Sequence, residues 1–330
     1  MLREVLLLLA GQAIGATSVV FIRISGLDAA LLAAMRLLLG AGILGSVGLL
    51  SDIRRRSPSD AGAENGISSA ETSDGGPTGP LRGSGSQGPG LLAGISLKRS
   101  LAPGILMGLH LFTWNIGARA TLAANATLVV NMVPIAMPIV VYVLYRERLN
   151  RGQIVATLLA VSGIVVLASG SMRIGMETLL GDLVNVLSLF LLAGYLALAR
   201  RQRQGQSLFA YVVPLYFVGG SLALVLALLS GADFRPLANL TAWLPAIGLA
   251  VGPTAVGHTI FNRAMGTVPS QTVSLFIVTQ FVFAGVYAAI IFRELPFPAF
   301  YPAAAMVLAG VGLDLRAGRK AAIAARGANP

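Results

Sequence analysis

Ten apolar segments follow one another along the chain, and this succession limits the possible folds more than any other feature. Each segment is continuous and about 20 residues long, which is the length of a transmembrane helix and lacks the alternation of a barrel strand. The predicted segments are 4–22, 28–50, 101–119, 123–145, 152–170, 178–199, 208–229, 243–264, 270–292 and 299–316. The sequence therefore predicts an all-α membrane protein with ten transmembrane helices in a lipid bilayer.

The composition agrees with this prediction. Hydrophobic residues make up 55% of the chain and charged residues only 11%, whereas soluble domains carry about 25% charged residues. The net charge of +11 comes from short Arg and Lys clusters between apolar segments. Nucleic-acid binding would instead require a basic face with interleaved aromatic residues, so we expect no nucleic-acid partner. The absence of Cys excludes disulfides and Cys-ligated metals.

The distribution of Arg and Lys predicts the orientation. If the N-terminus is cytoplasmic, 18 of the 24 basic residues lie in inner loops and tails, and five lie in outer loops. Arg36 lies inside the second segment. Because basic loops are retained in the cytoplasm, both termini are predicted to be cytoplasmic.

One connection differs from the other, shorter ones. Residues 57–90 contain nine Gly, seven Ser and four Pro, a composition that buries too little apolar surface to offset the entropy of ordering. Residues 51–100 are therefore predicted to be a flexible cytoplasmic linker. Residues 317–330 are predicted to be a basic cytoplasmic tail.

The chain also contains an internal repeat. Asn115, Arg146-Glu147 and Gly163 match Asn262, Arg293-Glu294 and Gly310, each 147 positions later. The first repeat is predicted at 1–50 and 101–170, and the second at 178–316. Five helices are an odd number, so the second repeat enters the membrane from the opposite side. Inverted repeats of this kind usually bind a substrate near the midplane between them.

Three stretches resemble one known family. They are LLAAMRLLLGAGIL at 31–44, ARATLAANATLVVNMVPIAMPIVVYVLYRERL at 118–149 and SQTVSLFIVTQFVFAGVYAAIIFREL at 270–295. Together they resemble the EamA-type ten-helix branch of the drug/metabolite transporter superfamily. The resemblance implies a carrier of the bacterial inner membrane, often an exporter of amino acids or related metabolites. The chain departs from the family pattern at Gln12, since a Trp-Gly pair is common there, and at Phe281, which replaces an expected Pro.

Polar residues inside the segments indicate where a substrate could bind. The two His residues, His110 and His258, lie in the third segment of each repeat. Polar groups cannot face lipid cheaply, so both are expected to face a cavity or a neighbouring helix. Substrate or proton handling and a purely structural hydrogen bond both remain open. Arg36 could bind a substrate carboxylate or form a structural ion pair, with Asp182 as one candidate.

Further stripes at helical spacing point to a shared central cavity. They run along the fourth segment (Thr127, Asn131, Pro134, Pro138), the sixth (Asn185, Ser188, Leu192, Tyr195) and the ninth (Phe276, Gln280, Phe283, Tyr287). Pro134, Pro138 and Pro253 are expected to interrupt helices and free backbone carbonyls. The predicted substrate-binding residues are Arg36, His110, Trp114, Asn131, Tyr195, His258, Asn262 and Gln280.

Other functional classes lack their sequence features. Neither His belongs to a His-Glu-x-x-His motif, and no Gly-rich phosphate loop with Lys is present. We therefore expect no enzyme activity, no cofactor and no direct use of ATP. No charged ring or filter-like repeat indicates a channel. The predicted function is a secondary transporter that exports an amino acid or related compound by alternating access, and a lipid or lipid-linked sugar flippase is the alternative.

Two properties of such a carrier are less constrained. A coupling proton is left open, because no carboxylate is evident near the middle of any segment. Gly11 and Gly15 form a Gly-x-x-x-Gly pair that lets another helix approach, and contact within the bundle is favoured over a dimer. The protein is expected to be a monomer or a weak homodimer.

Overall fold

The computed structural model describes residues 2–56, 95–121, 123–171, 175–202, 206–291, 293 and 295–327. These residues form helices and connecting turns, and the described part contains no β-strand. Most of the predicted linker, residues 57–94, and the last three residues of the predicted tail lie outside the described residues. In the described part of these two regions, helices continue to Arg56 and to Gly327.

Two 3-10 helices, Arg235–Ala238 and Leu240–Ala242, carry no label, and the other helical segments share a label where no more than one residue separates them. The helices are α1 (Leu2–Ala16 and Ser18–Ile24), α2 (Ala29–Arg56), α3 (Leu97–Ala120), α4 (Ala123–Asn131 and Val133–Tyr145), α5 (Arg151–Ser171), α6 (Met176–Gln202), α7 (Leu208–Leu229), α8 (Trp243–Leu249, the π-helix Ala250–His258, and Thr259–Ala264), α9 (Ser270–Val278 and Gln280–Ile291) and α10 (Phe300–Gly327).

Eight helices in the described ranges are long and apolar enough to cross a membrane. The remaining two, α3 and α4, do not meet this criterion. Polar side chains such as His110 and Asn115 lower the hydropathy of α3. Within α4, Val133–Tyr145 is a shorter apolar helix. The chain is thus a multi-pass membrane protein.

The two sides of the bundle are defined by contacts between helix ends. On one side, Arg263 near the end of α8 forms an ion pair of 3.8 Å with Glu4 at the start of α1. We call this the termini side. On the opposite side, Asn115 near the end of α3 donates a 2.7 Å hydrogen bond to the carbonyl of Ala29 at the start of α2.

Helices α5 and α10 are sequence equivalents in the repeat, and they pack reciprocally. A Cβ added at Gly163 would lie 2.8 Å from the Ala303 carbonyl oxygen, and one added at Gly310 would lie 2.8 Å from that of Ala156. Both partners are related by the same 147 positions as the two glycines. The contacting residue numbers on α10 decrease as those on α5 increase, so the two helices are antiparallel. This is the self-complementary contact of a local two-fold axis.

Local backbone features repeat with the same spacing. Helix α4 is interrupted at Met132 and α9 at Thr279. Arg146 and Arg293, just after these helices, have φ of 57° and 59°, the left-handed conformation that often ends a helix. The break that Pro134 predicted in α4 is confirmed. Its equivalent in α9 occurs without proline at Phe281.

Contacts between helices also come in pairs related by a shift of five. The contact between α3 and α6 has its counterpart between α8 and α1, and that between α4 and α6 has its counterpart between α9 and α1. At the α1–α8 contact, a Cβ at Gly257 would lie 3.4 Å from the Gly11 carbonyl oxygen and 3.7 Å from Gly15. The Gly11–Gly15 pair therefore serves a contact within the chain, as predicted.

Candidate functional site

A cavity of about 90 Å³ lies at the centre of the bundle, between helices α1, α2, α3, α4, α6, α8 and α9. Five of the predicted substrate-binding residues line it together: Arg36, His110, Trp114, His258 and Gln280. Three others, Asn131, Tyr195 and Asn262, are buried outside this lining.

Arg36 lies in α2 and is only 3% exposed. Its Nε donates a 3.0 Å hydrogen bond to the Thr254 hydroxyl, and the Thr254 carbonyl accepts a 3.3 Å hydrogen bond from the Tyr216 hydroxyl. Asp182 instead accepts a 2.7 Å hydrogen bond from Thr121. The alternative of an Arg36–Asp182 ion pair is therefore wrong, and the partner that the structure gives Arg36 is neutral.

His110 is held by Ser188, which belongs to the predicted stripe on α6. The His110 Nδ1 lies 2.8 Å from the Ser188 hydroxyl and 3.0 Å from the Ser188 carbonyl oxygen. An unprotonated Nδ1 accepts from the hydroxyl and a protonated Nδ1 donates to the carbonyl, so these contacts allow either neutral tautomer. The Ser188 hydroxyl also lies 3.0 Å from the His110 carbonyl oxygen, to which it can donate. Because Ser188 occupies Nδ1, Nε2 is the ring nitrogen left for the cavity, as an acceptor or a donor according to the tautomer.

His258 lies at the end of the π-helix of α8, and its ring packs edge-on against Phe261 with centroids 6.3 Å apart. Pro253, inside the same π-helix, cannot donate a backbone hydrogen bond. The predicted interruption at Pro253 is therefore a widened turn. Such turns frequently occur at functional sites.

Tyr195, Tyr211, Asn262 and Phe276 lie beside the cavity, toward the termini side of the bundle, and we call them the termini-side layer. All four are fully buried. The Asn262 Nδ2 donates a 2.6 Å hydrogen bond to the Tyr195 hydroxyl. On the opposite side of the cavity, the half-buried Tyr287 donates a 2.9 Å hydrogen bond to the Ala13 carbonyl.

The backbone carbonyl freed by Pro138 faces α9 and not the cavity. The Gln271 Nε2 donates to the Pro134 carbonyl at 3.1 Å and to the Thr157 hydroxyl at 2.7 Å. This side chain therefore satisfies an acceptor that the proline leaves open. Of the predicted α4 stripe, the Thr127 side chain lies outside the described residues.

Several functional candidates were not predicted from the sequence. Gln12 and Ser18 of α1 line the cavity. Asp314 of α10 is 3% exposed and accepts a 2.6 Å hydrogen bond from Thr272, away from the cavity lining. As the single acidic residue of the last apolar segment, it could have been recognised. No cluster of three or more potential metal ligands occurs within the described ranges.

A multi-pass helical bundle around a small cavity, lined by apolar walls and a few polar groups, is the architecture of a membrane carrier. The sequence matches the model of the EamA-like transporter family over residues 85–169 and 179–315, well over half of the chain. The protein belongs to the EamA-like transporter family, within the drug/metabolite transporter superfamily.

Comparison with solved structures supports the fold. One, titled only "Crystal structure of protein", has a TM-score of 0.70 and 16% sequence identity, and the match covers 96% of this chain and 98% of that chain. At this identity, the likeness shows the fold alone. No curated protein matches the sequence.

Proposed function

We propose that this protein is a secondary transporter that exports an amino acid or a related small polar compound across the bacterial cytoplasmic membrane. The observation that carries this proposal is the central cavity, where helices of both repeats bring Arg36, His110, Trp114 and His258 together. The apolar and aromatic walls suit the carbon skeleton of a metabolite, and the few convergent polar groups suit its head group. The direction and the compound class rest on the family.

Alternating access is supported by the pseudo-symmetry of the bundle. The reciprocal, antiparallel contact of α5 with α10 is what two inverted five-helix repeats would produce. Such repeats provide two nearly equivalent packings around one site, so each side of the membrane can be opened in turn. Ten spans with both termini in the cytoplasm agree with this arrangement and with the distribution of basic residues.

The termini-side layer is then the gate toward the cytoplasm. Opening it requires the Tyr195–Asn262 hydrogen bond to break and Phe276 to leave its buried position. Tyr195 and Asn262 would thus contact the substrate as it enters. Arg36, Trp114 and His110 would hold it in the cavity.

Exchange in proteoliposomes tests this function. Protein-containing liposomes loaded with unlabelled compound should accumulate labelled amino acids or their 2-hydroxy analogues, and Trp114→Ala should reduce this uptake about tenfold. The matched control is Trp243→Ala, since the Trp243 indole donates to the Leu237 carbonyl outside the cavity. Uptake by this control should be nearly normal. Movement of labelled lipid between leaflets, without flux of any metabolite, would favour the flippase alternative.

A further inference from the structure

We infer that the transported compound is a small carboxylic acid with a net charge of −1, such as a 2-hydroxy or 2-keto acid, whose carboxylate binds Arg36. This inference rests on the proposed transport function and narrows its substrate class. It separates an acid anion from the zwitterionic amino acid of the same shape.

The first basis is the uncompensated charge of Arg36. Thr254 is the single hydrogen-bond partner of its guanidinium among the described residues, and the hydroxyl of Thr254 is neutral. A buried cation inside a membrane bundle is costly unless an anion or water compensates it. The acidic residues with described partners bind elsewhere: Glu4 to Arg263, Asp28 to Arg119, Glu147 to Arg200, Asp182 to Thr121, Asp233 to Arg235 and Asp314 to Thr272.

The second basis is Gln12, which lines the same cavity and is 1% exposed. Its amide Nε2 is buried and has no hydrogen-bond partner in the described part of the chain. An unsatisfied buried donor is costly unless a ligand accepts from it. A carboxylate has about four acceptor sites. It could therefore accept from both the Arg36 guanidinium and the Gln12 amide.

The rest of the lining distinguishes an anion from a zwitterion. None of the lining residues is acidic, so an ammonium group would enter a site that already contains a cation and offers no counterion. A hydroxyl is better suited, because it can donate to the His110 Nε2 or accept from it, whichever tautomer the imidazole adopts while Nδ1 contacts Ser188. The cavity volume of about 90 Å³ is small beside the roughly 300–1,000 Å³ of typical ligand pockets. This favours acids with few carbon atoms.

L-Lactate, L-alanine and lactamide test the inference, because they have nearly the same shape and differ in charge. Exchange of labelled lactate should be inhibited by unlabelled lactate at concentrations at least tenfold lower than by alanine or lactamide. Preferred exchange of alanine would overturn the inference and leave the carrier function standing. Failure of a wider panel of acids and amino acids to exchange at all would contradict the proposed function as well.

Substitutions at Arg36 test the assigned contact. In Arg36→Gln, lactate and lactamide should inhibit the exchange at about equal concentrations. Arg36→Lys should keep the preference with weaker affinity, because it retains the charge and loses the planar fork. Arg235→Gln is the matched control, since Arg235 is exposed and pairs with Asp233 outside the cavity. An unchanged preference in Arg36→Gln would exclude Arg36 as the carboxylate site.

A binding measurement keeps this test valid if transport by Arg36→Gln is lost through misfolding. The chain has two Trp residues, so Trp243→Phe leaves Trp114 as the sole reporter in the cavity. In this background, lactate should change the fluorescence of the parent and of Arg36→Lys at lower concentrations than lactamide does. Equal responses to lactate and lactamide in the parent would contradict the inference.

Discussion

Arg36 shows how one residue can depend on a chain of neutral groups. Its Nε is oriented by the Thr254 hydroxyl, and the Thr254 carbonyl is fixed by Tyr216. Thr254 lies inside the π-helix, against Gly40, where an added Cβ would approach its methyl group to 3.0 Å. The close approach of α2 to α8 at Gly40 is therefore what brings Arg36 within reach of its partner.

Thr254→Val should weaken substrate binding without removing charge from the cavity. Valine keeps the shape and the backbone carbonyl but removes the acceptor for the Arg36 Nε, a hydrogen bond to a charged group typically worth about 1.5–3 kcal/mol. The KM for lactate exchange should rise about tenfold, with a smaller change in the maximal rate. Thr113→Val is the control, because the Thr113 hydroxyl donates to carbonyls of its own helix. Equal effects of both substitutions would contradict a positioning role for Thr254.

Helical spacing predicted part of the site, and the exact face of each helix limited the rest. Trp114 and His110 share a face of α3 and both line the cavity. Tyr195 was placed in the site, yet Leu192 and Leu196, which lie on either side of it and share a helix face at a spacing of four, line the cavity instead. The π-helix shifts the face of α8 after Pro253, so Asn262 turns toward Tyr195. Gln12 was not predicted because the first segment has no polar stripe.

At the scale of helices, the repeat was predictable from few residues. The Arg146 and Arg293 match predicted equivalent helix ends, and the backbone at both is left-handed. The break at Thr279 was not predicted, because Phe281 stands where α4 has Pro134, the residue that predicted the break in α4. There, the Thr279 hydroxyl donates to the Phe276 carbonyl, a local bond of the kind that bends helices.

Two glycines on α10 allow a matched test of the α5–α10 contact. Gly310→Ala should destabilise the protein by about 1–3 kcal/mol, because its methyl group would push against the Ala156 carbonyl. Gly312→Ala should be neutral or stabilising by up to about 1 kcal/mol, because no atom lies within 4 Å and alanine favours helix. Thermal unfolding in detergent measures both. Equal loss of stability in the two variants would contradict the reciprocal packing.

At the scale of the whole molecule, the all-helical membrane fold and the family were predicted from hydropathy and from three stretches of sequence. Hydropathy alone identifies fewer spans, because the polar residues that line a cavity also make a helix less apolar. Helix α3 carries both His110 and Asn115 and falls outside the eight clear spans for this reason. The polar side chains that a binding site needs therefore lower the hydropathy by which the same segment would be recognised as a span.

The orientation of the whole molecule can be tested directly because the chain has no Cys. Leu240 is 84% exposed in the 3-10 helix Leu240–Ala242 that leads into α8, at the end of α8 predicted to be outside the cell, whereas Ser86 lies in the predicted cytoplasmic linker. A membrane-impermeant maleimide should label Leu240→Cys in intact cells and should label Ser86→Cys only after permeabilisation. The reason is the excess of basic residues, 18 against five, on the side that carries the linker and both termini.

Labelling of Ser86→Cys in intact cells would reverse the orientation, and with it the assignment of the termini-side layer as the cytoplasmic gate. Labelling of both positions in intact cells would mean that an odd number of spans does not separate them, which contradicts the ten-helix arrangement.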